Sequence, residues 1–291
     1  MHLMSLHAEF EIRSFSGPLG AEVLGLDLSR PLSDDGFRRL HRAHLDHHVL
    51  VFRDQHSLTP EQQVALSARF GPLQRHVLKQ FALPGHPDVL IVSNVIENGQ
   101  PIGLGDAGHF WHSDLSYKPR PSLGSFLHAQ ELPSEGGDTL FANQHLAYET
   151  LPQALKQAVT GRFAEHWYLA RYAELQQRSP WRPNLSPEQI AEVPPAVHPV
   201  VRTHPENGRP ALFVSEHFTT RVLDLPEDES RALLDELFRH STQPEFVYRH
   251  RWRAGDLVFW DNRSVVHLAT GCPDHLRRRL HRTTIEGDVP V

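Results

Sequence analysis

The stretch Phe246-Val247-Tyr248-Arg249-His250-Arg251-Trp252, the turn Ala254-Gly255-Asp256, and the run Leu257-Val258-Phe259-Trp260-Asp261-Asn262 decide how the chain is read. In the first part a large ring recurs at every second residue, the period of a strand with one buried face. From Leu257 to Trp260 every side chain is apolar, which is the pattern of a strand covered on both faces, and Asp261-Asn262 signals another turn. The same alternation of short strands and turns extends outward through Ala211 to Val214, Val197 to Thr203, Asp88 to Val95, Val49 to Phe52 and Glu22 to Leu24. Helical spacing is confined to a few places. Ser33 can cap a helix carrying Phe37, Leu40 and Leu45, and Leu233, Leu234, Leu237 and Phe238 mark another. Thr59-Pro60-Glu61-Gln62 opens a third helix, with Leu66 and Phe70 on it and Gly71 as its expected end. Trp167 to Leu175 fits neither template. Many short strands with a few helices predict a mainly β fold with helices (α+β), a sandwich or barrel with helical insertions. The chain reads as one domain over 1–291, in which the proline-interrupted segment 145–196 is a lid or insertion.

Composition narrows the function. In 291 residues, 29 Lys and Arg against 35 Asp and Glu give a net charge of −6, and the basic residues are scattered, so no nucleic-acid partner is expected. With 39% hydrophobic and 22% charged residues the chain is globular. A single cysteine, Cys272, excludes an internal disulfide and a multi-cysteine zinc site, as suits a reducing compartment. Charges interrupt the N-terminal MHLMSLHAEFEIRS where a signal peptide needs an apolar run, and no run approaches the roughly 18 residues of a membrane span. The expectation is a cytoplasmic protein without a membrane partner. Its 22 histidines invite a metal reading that only position can support.

Position supports it at Trp111-His112-Ser113-Asp114. On a strand, residues two apart share a face, so the His112 imidazole and the Asp114 carboxylate converge. Such a pair alone occurs often by chance, and a lone histidine is as readily a hydrogen-bonded core residue. The remote partner is His267, presented by the β-branched run after Asp261-Asn262. Two histidines and a carboxylate make a facial triad that leaves coordination positions open for oxygen chemistry. Beyond it, Arg278 and Arg282 share one face if Arg277 to Thr284 is a strand, and two guanidiniums there suit two carboxylates or sulfonates; the alternative is a solvated basic edge. Gly136-Gly137-Asp138-Thr139 combines a close-approach turn with a hydroxyl donor. Glu97 to His109, rich in Gly, Pro and Asp, reads as an exposed loop bordering the site.

Taken together, FWHSDLSY (110–117), ELPSEGGDT (131–139), HPVVRTHPENGRPALFVSEHFTTRV (198–222), FWDNRSVVH (259–267) and RRLHRTTIEGD (278–288) resemble the taurine dioxygenase family of iron(II)- and 2-oxoglutarate-dependent oxygenases, in family order from about Leu26 to Asp288. The resemblance implies a double-stranded β-helix, or jelly roll. It implies His112, Asp114 and His267 as Fe(II) ligands, Thr139 and Arg278 on the distal carboxylate of the co-substrate 2-oxoglutarate, and O2 as oxidant. For the substrate it implies Arg282 and His76 on an anionic group and Phe218 as an aromatic wall. Two positions depart from the taurine pattern: Lys79 stands where a tyrosine is expected and Gly108 where an asparagine is, both tied in the family to taurine's amine. Lys79 would repel an ammonium and attract a second anion. The expected reaction is hydroxylation of a small anionic substrate, an alkylsulfonate or alkyl sulfate ester, releasing sulfite or sulfate and an aldehyde with succinate and CO2. Alternatives are an aryloxyalkanoate or a biosynthetic intermediate, a non-catalytic ligand-binding relative, and a zinc hydrolase, which would need neither Thr139 nor the two arginines. A homodimer or homotetramer is expected.

Overall fold

The computed structural model describes residues 9–179 and 181–291. The first eight residues of the stretch read against a signal peptide, and Pro180 within 145–196, lie outside the described residues.

Two sheets face each other. The larger has eight strands, and its centre runs Val49–Phe52, Leu257–Asp261, Ser122–Glu131, Arg279–Glu286 and His86–Ser93. The smaller places Thr139–Asn143 between Val247–His250 and Val265–Ala269. All pairings are antiparallel except Ala21–Leu24 on Val49–Phe52.

The continuous apolar runs are explained by two cores. Val49, Val51, Val258 and Trp260 point into the space between the sheets, where they meet Phe141 and Val265 of the smaller sheet. Leu50, Phe52, Leu257 and Phe259 point the other way, onto Leu40 and Ala43 of the helix Asp34–His47 and Leu66 of the helix Pro60–Ala68. Strand period two divides one run between both cores, and a one-residue register slip would exchange them.

Local signals act as expected at the two N-terminal helices. The Ser33 hydroxyl accepts from Gly36 N, and Thr59 and Gln62 form a reciprocal capping box. The second helix, however, stops at Ala68 and is capped by Arg69, so Gly71 lies beyond its end. Trp167 to Leu175 resolves into a loop and the helix Tyr172–Arg178. The loop 97–109 is less exposed than its composition predicts, because Leu104 and Asp106 are buried. The described residues of segment 145–196 include the short helices Gln153–Val159, Tyr172–Arg178 and Pro187–Ala191 and the strand Phe163–His166, and the segment lends Tyr168, Leu175 and Arg182 to the wall of the site described next. Among the described residues no helix is long and apolar enough to cross a membrane.

Candidate active site

His267 lies in the middle of Val265–Ala269, and its backbone exchanges both hydrogen bonds with His112, N to O at 2.8 and 3.0 Å. That single bridge, rather than a full strand, carries His112. The chain then turns at once, with Leu115 at φ +56°. The expected strand geometry of His112-Ser113-Asp114 is thereby corrected, yet the side chains still converge, with His112 Nε2 3.5 Å from Asp114 Oδ1. His267 Nε2 lies 3.9 Å from the same oxygen, and the three donor atoms fall within 4.8 Å of one another.

The surroundings pin this arrangement. His112 Nδ1 faces the Phe110 carbonyl at 2.9 Å, which fixes Nδ1 as the protonated nitrogen and leaves the Nε2 lone pair for a metal. Ser125 Oγ donates to Asp114 Oδ2 at 2.7 Å, and Asn262 Oδ1 accepts from Asp114 N at 3.1 Å. Asn262 is buried and also takes the Trp260 indole N–H at 2.9 Å. Burial works to raise the Asp114 pKa, but Arg282 and the two imidazoles hold it well below the usual carboxylate range. Arg282 Nη1 donates to Asp114 Oδ1 at 2.9 Å. A carboxylate kept ionised beside two imidazoles is a donor set suited to iron(II).

Asp261 and Arg263 of the same motif build the turn that feeds the His267 strand. Arg263 Nε and Nη2 grip both Asp261 oxygens at 2.8 and 2.7 Å, and His204 Nε2 faces Asp261 Oδ2 at 3.0 Å, all buried.

Thr139 opens the central strand of the smaller sheet, and its Oγ1 accepts from Trp252 Nε1 at 3.1 Å, which leaves the hydroxyl proton to donate elsewhere. Arg278 sits just before Arg279–Glu286, with Nε on the Gly137 carbonyl at 3.2 Å. Gly137 has φ +75°, and a Cβ there would lie 3.2 Å from Arg278 Cδ, so this close approach requires glycine. Burial lowers the Arg278 pKa to about 10, and no carboxylate pairs with it among the described residues. A buried guanidinium in that state calls for an anionic ligand, which fits 2-oxoglutarate.

Beside the triad lies a cavity walled by Tyr117, Tyr168, His217 and Phe218, with Arg282 and His76 on it. Leu78 N donates to His76 Nδ1 at 3.1 Å, so Nε2 carries the proton, and burial holds the ring neutral with a pKa of about 3.

A family model described as "Taurine catabolism dioxygenase TauD, TfdA family" matches residues 11–284. The chain belongs to the TauD/TfdA family. Among curated relatives, the alpha-ketoglutarate-dependent 2,4-dichlorophenoxyacetate dioxygenase of Cupriavidus pinatubonensis is 38% identical, covering 93% of this chain and 96% of that protein. A pentalenolactone F synthase of Streptomyces arenae is 34% identical and covers 92% of each. A protein of Acinetobacter baylyi named alkylsulfatase is 32% identical, over 97% of this chain and 86% of its own length. The crystal structure of a taurine dioxygenase from Burkholderia xenovorans superposes with a TM-score of 0.79 at 35% identity, covering 97% of this chain and 91% of that one. This TauD/TfdA-family chain is a 2-oxoglutarate-dependent dioxygenase with the jelly-roll core of those structures.

For this family member the structure locates the two positions that depart from the taurine pattern and adds several residues to the site. Lys79 is not on the inner cavity but lines a neighbouring pocket that shares His76 and Arg282 with it; its side chain is two-thirds exposed and its ammonium pairs with Glu192 at 3.0 Å. A long aliphatic stem reaches water when it can, and a surface carboxylate offers it a partner. Gly108 holds φ +81°, and a Cβ there would sit 3.3 Å from the His112 ring, so this position lies directly against the metal-ligand histidine. Tyr117, Tyr168, Arg182 and His217 escaped the sequence reading. Isolated aromatics and arginines carry no spacing signal, and neither does His217, whose ring stacks on Phe218 at 4.1 Å within the cavity wall.

Proposed function

We propose that the enzyme hydroxylates a small organic acid at the carbon next to a heteroatom, and that aryloxyalkanoates are the class that fits best. One observation carries the reading: the Arg282 guanidinium and an aromatic wall of Tyr117, Tyr168 and Phe218 share one cavity with His112 and Asp114, whose donor atoms cluster with that of His267. An acid head and an aryl body are what such a cavity accepts. The 2,4-dichlorophenoxyacetate dioxygenase among the relatives supports it.

His112, Asp114 and His267 would hold Fe(II), and Thr139 and Arg278 the distal carboxylate of 2-oxoglutarate. With O2, that centre supplies the oxidant that replaces a substrate C–H by C–OH. Arg282 and the Nε2–H of His76 would orient the acid head, and Phe218 with the two tyrosines would hold the ring and exclude water. If the hydroxylated carbon bears an ether oxygen, the hydroxyl proton passes to that oxygen as the C–O bond breaks, giving a carbonyl compound and a phenol. The segment 145–196 would act as the cover, since it supplies one side of the cavity.

Alkyl sulfates form the second reading, because a guanidinium fork meets a sulfate as well as a carboxylate and one relative is named alkylsulfatase. Taurine fits less well, because Gly108 places no hydrogen-bonding side chain beside His112. The test is succinate formation with Fe(II), 2-oxoglutarate and O2 across phenoxyacetates, 2-phenoxypropionates, alkyl sulfates and taurine. Phenol released one-to-one with succinate supports the first reading. Sulfate release with silent phenoxy acids replaces it with the second.

A further inference from the structure

Arg182 comes from segment 145–196 and Asp106 from the loop 97–109, and they meet over the inner cavity in a bidentate ion pair, Nε to Oδ2 at 2.6 Å and Nη2 to Oδ1 at 2.9 Å. Both are more than nine-tenths buried. The pair uses two of the three guanidinium nitrogens. The third, Nη1, is buried and makes no hydrogen bond of normal length among the described residues, and neither do the Tyr168 hydroxyl, which adjoins Arg182, and the Tyr117 hydroxyl. All three residues line the cavity that holds His112, Asp114 and Arg282. Arg182 also lies 4.8 Å over the Tyr172 ring, whose hydroxyl is tied to the Pro183 carbonyl at 2.7 Å, so the guanidinium is held along one edge by Asp106 and on one face by this ring.

Buried donors without acceptors are rare in folded proteins, and a ligand that displaces their water must replace those bonds. Asp106 has already neutralised the Arg182 charge, so the free arm is matched to an uncharged oxygen rather than to a second anion. We infer that Arg182, held by Asp106 and joined by Tyr168 and Tyr117, reads a neutral hydrogen-bond acceptor on the end of the substrate remote from its acid head. The preferred substrates are therefore oxygenated organic acids, with a carbonyl, lactone or ether oxygen on the ring, rather than acids with a bare hydrocarbon ring. This rests on the organic-acid reading above and refines it. Because the ion pair joins the two chain segments that border the cavity, the same contact couples recognition of that oxygen to the position of both.

The test uses the full chain loaded with Mn(II) and 2-oxoglutarate under nitrogen, so that binding is read without turnover. Dissociation constants are measured by calorimetry for the 3- and 4-isomers of acetylphenoxyacetate, isopropylphenoxyacetate and carboxyphenoxyacetate. The acetyl and isopropyl acids are near-isosteric and differ in one acceptor oxygen. The expected result is at least tenfold tighter binding of one acetyl isomer than of its isopropyl partner, with no gain for the carboxy acid. Arg182→Lys keeps a counter-charge for Asp106 but removes the free arm, and it should cut that preference to within about threefold while 2-oxoglutarate binding stays within twofold. Arg182→Met combined with Asp106→Leu removes the pair as a unit and guards against a folding defect from a lone buried carboxylate. Equal binding of acetyl and isopropyl acids by the parent protein overturns the inference and leaves the organic-acid reading standing. So does a preference that survives both variants. If 2-oxoglutarate binds and none of the acids does, the organic-acid reading falls and this inference with it.

Discussion

Replacing Asn262 by alanine should damage the fold and the metal site together. The side chain is buried, accepts from Asp114 N at 3.1 Å and Trp260 Nε1 at 2.9 Å, and donates to Ser122 Oγ at 3.0 Å and Ser125 Oγ at 3.4 Å. Alanine strands two buried N–H donors, each at a cost of about 1–3 kcal/mol, so roughly 2–5 kcal/mol is lost once partial rehydration is allowed for. For a chain of this length, at about 2 °C per kcal/mol, the melting temperature should fall by about 4–10 °C. The second consequence follows from geometry. Asn262 holds the Asp114 backbone, and Ser125, which it also contacts, donates to Asp114 Oδ2 at 2.7 Å. Groups that orient a metal ligand are worth about 10- to 100-fold in metal affinity, and that loss should appear here. Differential scanning calorimetry with and without Mn(II), and Mn(II) titration by calorimetry, read both effects. A melting temperature within 2 °C of the parent and a metal dissociation constant within twofold would refute the argument that Asn262 organises the site.

Three further outcomes are expected. Asp261→Asn leaves the buried Arg263 with Glu206, at 2.6 Å, as its one anionic partner among the described residues, and should cost about 3 kcal/mol, seen as a lower urea midpoint; an unchanged midpoint would show the pair to be dispensable. Arg278→Met should abolish stabilisation by 2-oxoglutarate in a thermal-shift assay while leaving the ligand-free protein as stable or more so, because a buried guanidinium without a carboxylate partner is a burden to the fold; a variant that is less stable without ligand and still responds to 2-oxoglutarate would contradict this. Burial pulls His44, His48 and His166 down to about 3 and His145 to about 4. The unfolded chain takes up protons near pH 6.5 and the folded one only near 3–4, so the unfolded state binds more protons in between and stability falls as pH drops below about 6.5, by up to about 1.4 kcal/mol per histidine per pH unit. Urea midpoints at pH 7.0 and 5.5 should differ clearly, and equal midpoints would mean that these rings are protonated in the folded protein.

Strand identity was legible in the residues because strand period is local. Val49 to Phe52 and Leu257 to Trp260 announce burial on both faces by being apolar throughout, and the structure divides each run between two cores. The capping residues Ser33 and Thr59 were legible for the same reason, since a cap is settled within three residues. The family pattern in five separated motifs placed the chain among 2-oxoglutarate-dependent dioxygenases, as its relatives bear out.

What the residues alone could not tell is where side chains far apart in sequence meet. Gly71 resembles a helix end, but the helix closes earlier on Arg69. Lys79 resembles a second anion anchor, and its pairing with Glu192, 113 residues away, has no local signal. His112 and Asp114 converge through a single bridge to His267 and a tight turn, not through the strand their spacing suggests. Asp106 and Arg182 carry no motif, and their pairing exists only because two segments fold over the same cavity. Periodicity, capping and motif order act over a few residues and survive in the linear chain. The cavity wall, the Asn262 hydrogen bonds and the free arm of Arg182 depend on long-range packing, which no local pattern of residue types encodes.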